Sequence, residues 1–261
     1  MKIGFAFLTY RDIHNQQVYK KLFEELSADG HEVISATHSK KRFDSTILPD
    51  LDFISTIETR WATPSLIQAQ ILLFSHLFAQ ESDIVYFLSG DTLPLRRSKG
   101  FISLNQETTF CLQDKEFLGG HNEDYQYDQS KVFSGVNQNK WNNDIFRVNG
   151  LDIDFKNFEK QQMFFCINKR DFNKVFEKSA ENNYFNKLQR LSPMDEYFWV
   201  NIFNLLDMPY RAMDSYLYSN RKNNVNTQAE DFRLCVINDD IKDKYIFLRK
   251  LRQENAEINF I

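Results

Sequence analysis

Residues 83–91 read DIVYFLSGD, a continuous apolar run that ends in a serine, a glycine and an aspartate. A short apolar run bounded by turn residues is typical of a strand buried on both faces of a sheet. Just before it, residues 63–78 start with Thr63 and Pro64 and carry a broad apolar stripe, which predicts a buried helix with Thr63 as its N-cap. A buried helix that leads into a buried strand favours a parallel sheet with crossover helices.

The rest of the chain continues this alternation of strands and helices, so we predict an α/β fold. Gly30 is placed to end the first helix. Two polar stretches, 105–150 and 219–231, predict loops. The other predicted elements are strands at 2–9, 31–36, 163–167 and 234–237, and helices at 14–28, 171–179 and 193–206.

The composition of the chain limits the classes of protein to which it can belong. With 42% hydrophobic and 26% charged residues, the chain has the make-up of a folded globular protein. A net charge of -4 creates no general attraction for nucleic acid. No apolar run is long enough for a membrane span or a secretion signal, so we expect a cytoplasmic protein whose contact with the inner face of a membrane is peripheral. The cysteines Cys111, Cys166 and Cys235 lie far apart and predict buried apolar residues rather than a zinc site or disulfides.

The stretch LSPMDEYFW at residues 191–199 contains the strongest candidate for catalysis. Ser192 is a natural N-cap, Pro193 suits the first helical position, and Asp195 completes a variant of the capping box. Glu196 has no capping duty and lies beside aromatic residues, where a carboxylate can serve as a general base. The alternative is that Glu196 only compensates the helix dipole.

Ser89, Gly90 and Asp91 follow the carboxyl end of the predicted strand at 83–88. Ligands bind beyond this end of the strands in open α/β sheets, so these residues are a second candidate site. They also suit an ordinary tight turn, because serine, glycine and aspartate are common turn residues.

Two further patterns are compatible with a nucleotide-diphosphate ligand. The acid-x-acid triplets 50–52 and 152–154 match a pattern that holds divalent metals in many sugar transferases. No glycine-rich phosphate loop is present, so cationic side chains would have to balance a diphosphate, and Arg233 and Lys250 are candidates.

Four separated stretches, in order along the chain, resemble one enzyme family. Residues 3–10 resemble its opening nucleotide-binding unit, and 61–69 resemble its tryptophan, serine and alanine helix. Residues 87–95 are similar to its LSGxDxPL signature, and 192–199 are similar to its SPDExFW signature with Met194 inserted. The family is that of the core-2/I-branching N-acetylglucosaminyltransferases, glycosyltransferase family 14, which includes the peptide O-xylosyltransferases.

The resemblance implies a GT-A-like, Rossmann-type mixed sheet flanked by helices in a single domain over residues 1–261. The nucleotide-binding half would span about 1–100, and the acceptor-binding and catalytic half about 105–261. It further implies inverting transfer of a sugar, N-acetylglucosamine or xylose-like, from a UDP-sugar to a hydroxyl of a glycan or glycolipid acceptor. An enzyme of this kind without an anchor would build a cell-surface polysaccharide.

The family's residue roles carry over to matching positions. Its catalytic base falls on Glu196, and its cations replace a metal, so no cofactor beyond the donor is expected. The implied nucleotide contacts are Thr9, Asp91, Arg233 and Lys250. The implied substrate contacts are Ser89, Gly90, Asp195 and Trp199.

Two other functions are compatible with the same sequence. One is a non-catalytic glycan- or nucleotide-binding protein of this fold, against which the intact Glu196 argues. The other is a metal-dependent GT-A transferase of another family, with Asp152 and Asp154 as metal ligands.

Overall fold

A computed structural model gives the architecture of the chain. Of four strands, at 145–148, 151–154, 217–219 and 247–249, the backbone alone is described. The described residues are 1–54, 56–60, 63–94, 107–112, 145–148, 151–154, 159–188, 194–212, 217–219 and 247–249.

Strands and helices alternate through the first half of the chain, as the sequence predicts. The strands are β1 (Lys2–Thr9), β2 (Glu32–Ser39), β3 (Leu51–Phe53), β4 (Ile84–Ser89), β5 (Leu93–Pro94), β6 (Thr109–Leu112), β7 (Ile145–Val148), β8 (Leu151–Asp154), β9 (Gln161–Asn168), β10 (Arg211–Ala212), β11 (Leu217–Ser219) and β12 (Phe247–Arg249). The helices are α1 (Gln16–Ala28), α2 (Pro64–Ala79), α3 (Lys169–Asn182), α4 (Tyr184–Leu188) and α5 (Phe198–Leu205), and a 3-10 turn covers Met194–Glu196.

Seven of the described strands form one sheet in the order β10-β6-β9-β4-β1-β2-β3. Strands β3, β2, β1 and β4 are parallel neighbours. Strand β9 is antiparallel to both β4 and β6. The sheet is therefore mixed but mostly parallel, and this confirms the predicted α/β class.

The sheet is covered on both faces because successive strand residues point to opposite sides. Phe5, Phe7 and Tyr86 pack on the α1 side. Ala6 and Phe87 pack on the other side, against α2, α3 and α5. Both faces of β1 and β4 are thus apolar, as the run at 84–88 predicts for a strand buried on both faces.

The chain path reverses direction between β1 and β4. From β1 the chain passes through α1 to β2 and β3, on one side of β1. It then returns through α2 to β4, on the other side. Such a reversal opens a crevice beyond the carboxyl ends of the two central strands, where open α/β sheets bind ligands. We call this place the switch point.

Two helix starts differ from the sequence prediction. Helix α2 begins at Pro64 as predicted, but the hydroxyl of Thr63 donates to the Arg60 carbonyl at 2.8 Å instead of capping the helix. The helix predicted over 193–206 is a 3-10 turn followed by α5, with Tyr197 at the N-cap. Because the chain from Tyr197 onward is buried in the core, tertiary packing overrides the local start signal. The predicted cap Ser192 lies outside the described residues.

The structure can be compared with several smaller predictions. Gly30 ends α1 with a φ of 83°, a left-handed conformation that glycine adopts without strain. Cys111 and Cys166 are buried and free, whereas Cys235 lies outside the described residues. The predicted loop at 105–150 contains β6 and β7, and the predicted strand at 234–237 lies outside the described residues. None of the helices described here is long and apolar enough to cross a membrane.

Candidate active site

The chain turns tightly where β4 ends. The amide of Thr92 donates to the carbonyl of Ser89 at 3.1 Å, and the Ser89 hydroxyl donates to the carboxylate of Asp91. The amide of Ser89 in turn donates to the Thr92 hydroxyl at 3.3 Å. The carboxylate of Asp91 therefore stabilises the turn to which it belongs, which confirms that these residues form a tight turn. The turn lies at the carboxyl end of β4, as the sequence predicts.

Position 90 has no room for a side chain, because the turn packs closely against the loop that follows β1. A Cβ atom on Gly90 would lie 2.1 Å from the Asp12 carbonyl oxygen and 3.0 Å from Cγ2 of Thr9. The Gly90 carbonyl accepts a hydrogen bond of 2.7 Å from the amide of His14. The structure thus brings Thr9, Ser89, Gly90 and Asp91, all predicted site residues, together at the switch point.

Buried polar atoms without partners surround this place. Thr9 Oγ1, Gln16 Oε1 and His38 Nδ1 are buried, and among the described residues none of the three atoms has a hydrogen-bond partner. Nε2 of His38 accepts the amide of Ile57 at 3.1 Å, and burial lowers the pKa of His38, so the imidazole is neutral with its proton on Nδ1. Buried polar groups are normally paired, so these atoms fit a site that a bound molecule completes.

Cations cluster on an exposed aromatic ring at the ends of β1 and β2. Tyr10 is 57% exposed. The guanidinium of Arg11 lies 5.3 Å from the Tyr10 ring centroid, and the ammonium of Lys40 lies 5.6 Å from it. Both distances are within the range of cation–π attraction. This arrangement presents two positive charges and a flat ring beside the switch point.

The cationic surface continues toward β3. The guanidinium of Arg42 lies 5.5 Å from the ring centroid of Phe53, the last residue of β3. We call Tyr10, Arg11 and residues 40–42 the cation rim. The sequence interpretation missed it, although its signal is visible as the basic run at 40–42, a few residues after the strand predicted at 31–36.

Glu196 is ion-paired. Its Oε2 lies 2.8 Å from Nζ of Lys160, with the two side chains 22% and 10% exposed, respectively. The Lys160 ammonium also lies 5.9 Å from the centroid of the Tyr197 ring. The candidate base is therefore a carboxylate that remains accessible on one side while a nearly buried cation holds it on the other. Lys160 was not recognised as a site residue from the sequence.

Glu196 lies at the same edge of the sheet as the switch point. Strand β9 is antiparallel to β4, with Phe165 opposite Phe87, so the amino end of β9 extends past the carboxyl end of β4. Lys160 immediately precedes β9, and the 3-10 turn with Glu196 packs against β9 and α2. Register thus places Lys160 at the carboxyl edge, one strand along from the Ser89–Asp91 turn, and the ion pair brings Glu196 to the same edge.

Trp199 and Asp195 are buried. Trp199 is 1% exposed, and its indole N–H donates to Oε1 of Gln70 at 2.6 Å. Its ring packs edge-on against Phe74 and Phe198. Asp195 is 2% exposed. The structure therefore gives Trp199 a packing role beneath the site, because a side chain this buried offers no surface to a substrate.

The remaining predicted site residues fall outside what the structure describes. Arg233 and Lys250 lie beyond the described residues. Asp152 and Asp154 lie in β8, of which the backbone alone is described. Among the described side chains, no group of three or more histidines, cysteines and acids is arranged to hold a metal ion.

Comparison with solved structures finds a likeness to a crystal structure of the galactosyltransferase LgtC in complex with donor and acceptor sugar analogues. The TM-score is 0.43 and the identity 13%, over 95% of this chain and 86% of that one. The likeness concerns the chain path alone. No protein-family model matches the sequence, and no curated protein matches it.

The edge as a whole has three chemical parts. The cation rim can neutralise an anionic ligand, the switch point offers buried polar atoms, and Glu196 offers a carboxylate oxygen. These parts follow one another across β2, β1, β4 and β9 in spatial order. The arrangement suits an extended ligand that is anionic at one end and reacts at the other.

Proposed function

We propose that the chain is a glycosyltransferase that moves a sugar from a UDP-sugar to a hydroxyl of a glycan or glycolipid acceptor. The observation that carries the proposal is a partly exposed carboxylate, Glu196, on the same sheet edge as a switch point flanked by cations. The choice of UDP, and of N-acetylglucosamine or a xylose-like sugar, comes from the sequence resemblance to glycosyltransferase family 14.

The spacing of the strands gives the distance over which a donor molecule would have to extend. Neighbouring strands lie about 4.8 Å apart, so the distance from β9 across β4 and β1 to β2 is about 14 Å. A nucleotide-sugar laid along this edge would have its nucleoside near Tyr10, its diphosphate near Arg11 and Lys40, and its sugar near Glu196. Arg233 and Lys250 remain candidates for the same diphosphate on the evidence of the resemblance.

The proposed reaction is a single displacement. Glu196 takes the proton from the acceptor hydroxyl as its oxygen attacks the anomeric carbon. The bond from that carbon to the phosphate oxygen breaks, and UDP leaves with the bonding electrons. Attack from the face opposite the leaving group inverts the anomeric centre. Cations near the diphosphate stabilise the charge that develops there, a role that a metal has in other transferases.

We further propose that this transfer takes place in the cytoplasm, from soluble donors, during synthesis of a cell-surface polysaccharide. A non-catalytic glycan- or nucleotide-binding protein of the same fold would share the binding properties but release no UDP. A metal-dependent transferase would lose donor binding in a chelator. These alternatives therefore make different predictions in the same assays.

Calorimetry with UDP and uridine, each with and without EDTA, tests the donor. We expect UDP to bind in EDTA and to stabilise the folded protein by about 2.7 kcal/mol when its concentration is a hundred times its Kd. Absence of UDP binding at millimolar concentration would contradict the proposal. Loss of binding in EDTA would favour the metal-dependent alternative instead.

The role of the cation rim has its own control. Arg11→Ala and Lys40→Ala should each weaken UDP binding about 10- to 100-fold, because each removes a charge-assisted contact worth roughly 1.5–3 kcal/mol in favourable geometry. Uridine affinity should change much less. Lys174→Ala removes an exposed lysine on α3, away from this edge, and should leave UDP affinity unchanged. Equal loss of UDP and uridine binding would show that the rim does not contact the diphosphate.

A further inference from the structure

We propose that Lys160 is a positioning residue for Glu196: it holds one carboxylate oxygen so that the other faces the acceptor hydroxyl. The inference rests on the proposed function. It adds a residue to which the sequence analysis gave no role, and it assigns that residue a specific task.

The first observation is the ion pair. Nζ of Lys160 lies 2.8 Å from Oε2 of Glu196, a charge-assisted distance. The lysine side chain is 10% exposed and the glutamate 22%. The pair engages Oε2, so the proposal assigns to Oε1 the proton of the acceptor hydroxyl.

The second observation is a set of hydrogen bonds on either side of Lys160, which we call the clamp. The amide of Glu159 donates to Oδ1 of Asn201 at 2.9 Å, and Nδ2 of Asn201 donates to the Glu159 carbonyl at 2.7 Å. On the other side, the Gln161 side chain accepts the amide of Val200 at 2.8 Å. All three bonds join residues 159–161, where β9 begins, to the first half of α5, which follows Glu196 in the chain. The backbone that carries Lys160 is thus fixed relative to the turn that carries Glu196.

The fixed position of Lys160 is better explained by a role in orienting Glu196 than by a contribution to the stability of the fold. Ion pairs that are largely withdrawn from water gain little net stability, because the cost of desolvation offsets the attraction. A catalytic group, in contrast, must be held within about 0.5 Å of its productive position by neighbours that are themselves fixed. The acidic and phenolic groups close to the pair, Glu159, Asp195 and Tyr197, belong to the same two segments, so the clamp orders the whole cluster.

The test compares four variants in a donor-turnover assay with UDP binding measured in parallel. Lys160→Met removes the charge and keeps the side-chain length, and Lys160→Arg keeps the charge. Lys169→Met is the matched control, because Lys169 makes a 2.7 Å ion pair with Glu81 at the opposite, amino edge of the sheet. The fourth variant combines Lys160→Met with Glu196→Gln and is compared with Glu196→Gln alone.

We expect Lys160→Met to lower kcat about 10- to 100-fold, since a misplacement of about 1 Å can cost a factor of a hundred. UDP affinity should stay within about twofold, and Lys160→Arg, which keeps the charge, should lose less of the rate than Lys160→Met. In the Glu196→Gln background, Lys160→Met should lower kcat no further, because two residues that act as one unit are not additive. Lys169→Met should leave kcat unchanged.

Two results would overturn the inference. One is a normal kcat in Lys160→Met; the other is an equal loss of kcat with and without Glu196, which would mean that the lysine acts independently. Failure of the proposed function itself looks different: the wild-type protein would neither bind UDP nor turn over a UDP-sugar, or Glu196→Gln would be fully active.

Discussion

Replacing Gly90 with alanine tests the geometry of the switch point most severely. The new Cβ atom would lie 2.1 Å from the Asp12 carbonyl oxygen, whereas ordinary contacts begin near 3.4 Å. The two segments must therefore separate by about 1 Å. Asp12 cannot move freely, because its carboxylate accepts the amide of Ile13 at 2.6 Å and the side-chain amide of Gln16 at 3.0 Å.

The cost follows from these contacts. Overpacking costs about 1–3 kcal/mol, and a backbone clash belongs near the upper end. Separation also weakens the 2.7 Å bond from His14 to the Gly90 carbonyl, worth about 1 kcal/mol. We therefore expect Gly90→Ala to lower the free energy of unfolding by about 3–4 kcal/mol, measured by urea denaturation, and to weaken UDP binding at least tenfold.

Gly30→Ala is the matched control. Nothing lies within 4 Å of a Cβ atom there, but the φ of 83° strains any residue with a side chain. It should cost about 1–2 kcal/mol and leave UDP affinity unchanged. If Gly90→Ala is as stable as the wild type and binds UDP equally well, the close approach of the β4 turn to the loop after β1 is wrong.

Two further predictions concern buried aromatic residues. Burial, with Asp91 nearby, raises the pKa of Tyr19, whose hydroxyl donates to the Thr92 carbonyl at 3.0 Å. The folded state thus favours the neutral phenol, so its contribution to stability is present below about pH 10 and is lost as the pH rises further. Tyr19→Phe should lower the free energy of unfolding by about 1 kcal/mol at pH 8 and make its fall above pH 10 shallower, as urea midpoints across this range would show; an unchanged slope would contradict this. Trp199→Phe leaves the Gln70 acceptor unpaired and opens a small void, so it should cost about 2–4 kcal/mol in urea unfolding with UDP affinity unchanged. A loss of ligand affinity with normal stability would instead support a substrate contact.

Elements of the fold were predictable wherever a repeating apolar pattern determines the structure. The strands at 2–9 and 84–89 and the helix at 64–79 appear as the sequence indicates, because burial on one or both faces leaves a clear periodicity. The start of α5 was not predictable, since Ser192 and Pro193 give a strong local signal that packing of the following aromatic residues overrides.

The candidate site was predictable only in part. Glu196 and the Ser89–Asp91 turn have sequence motifs and strand-end positions, and the structure places them on one edge. The Lys160 partner, by contrast, is 36 positions from Glu196 along the chain and meets it only because β9 runs antiparallel to β4. Such a pairing depends on topology, and no local pattern contains it.

For aromatic residues, the sequence did not predict which side chains are buried and which are exposed at the site. Trp199 belongs to the motif that contains Glu196, yet its side chain faces the core, bonded to Gln70 on α2. Tyr10 was given no contact role from the sequence, yet it is exposed at the cation rim. Sequence types alone do not distinguish a buried ring from a binding ring; the direction of the side chain relative to the sheet does.

Release of UDP from a UDP-sugar by Glu196→Gln, measured beside the wild type, tests the central claim most directly. Glu177→Gln is the control, since it makes the same substitution at an exposed acid on α3. The account predicts that Glu196→Gln lowers the rate about a hundredfold to ten-thousandfold, with UDP affinity unchanged, and that Glu177→Gln behaves like the wild type. A Glu196→Gln protein that releases UDP at the wild-type rate would contradict the assignment of Glu196 as the general base of a glycosyl transfer.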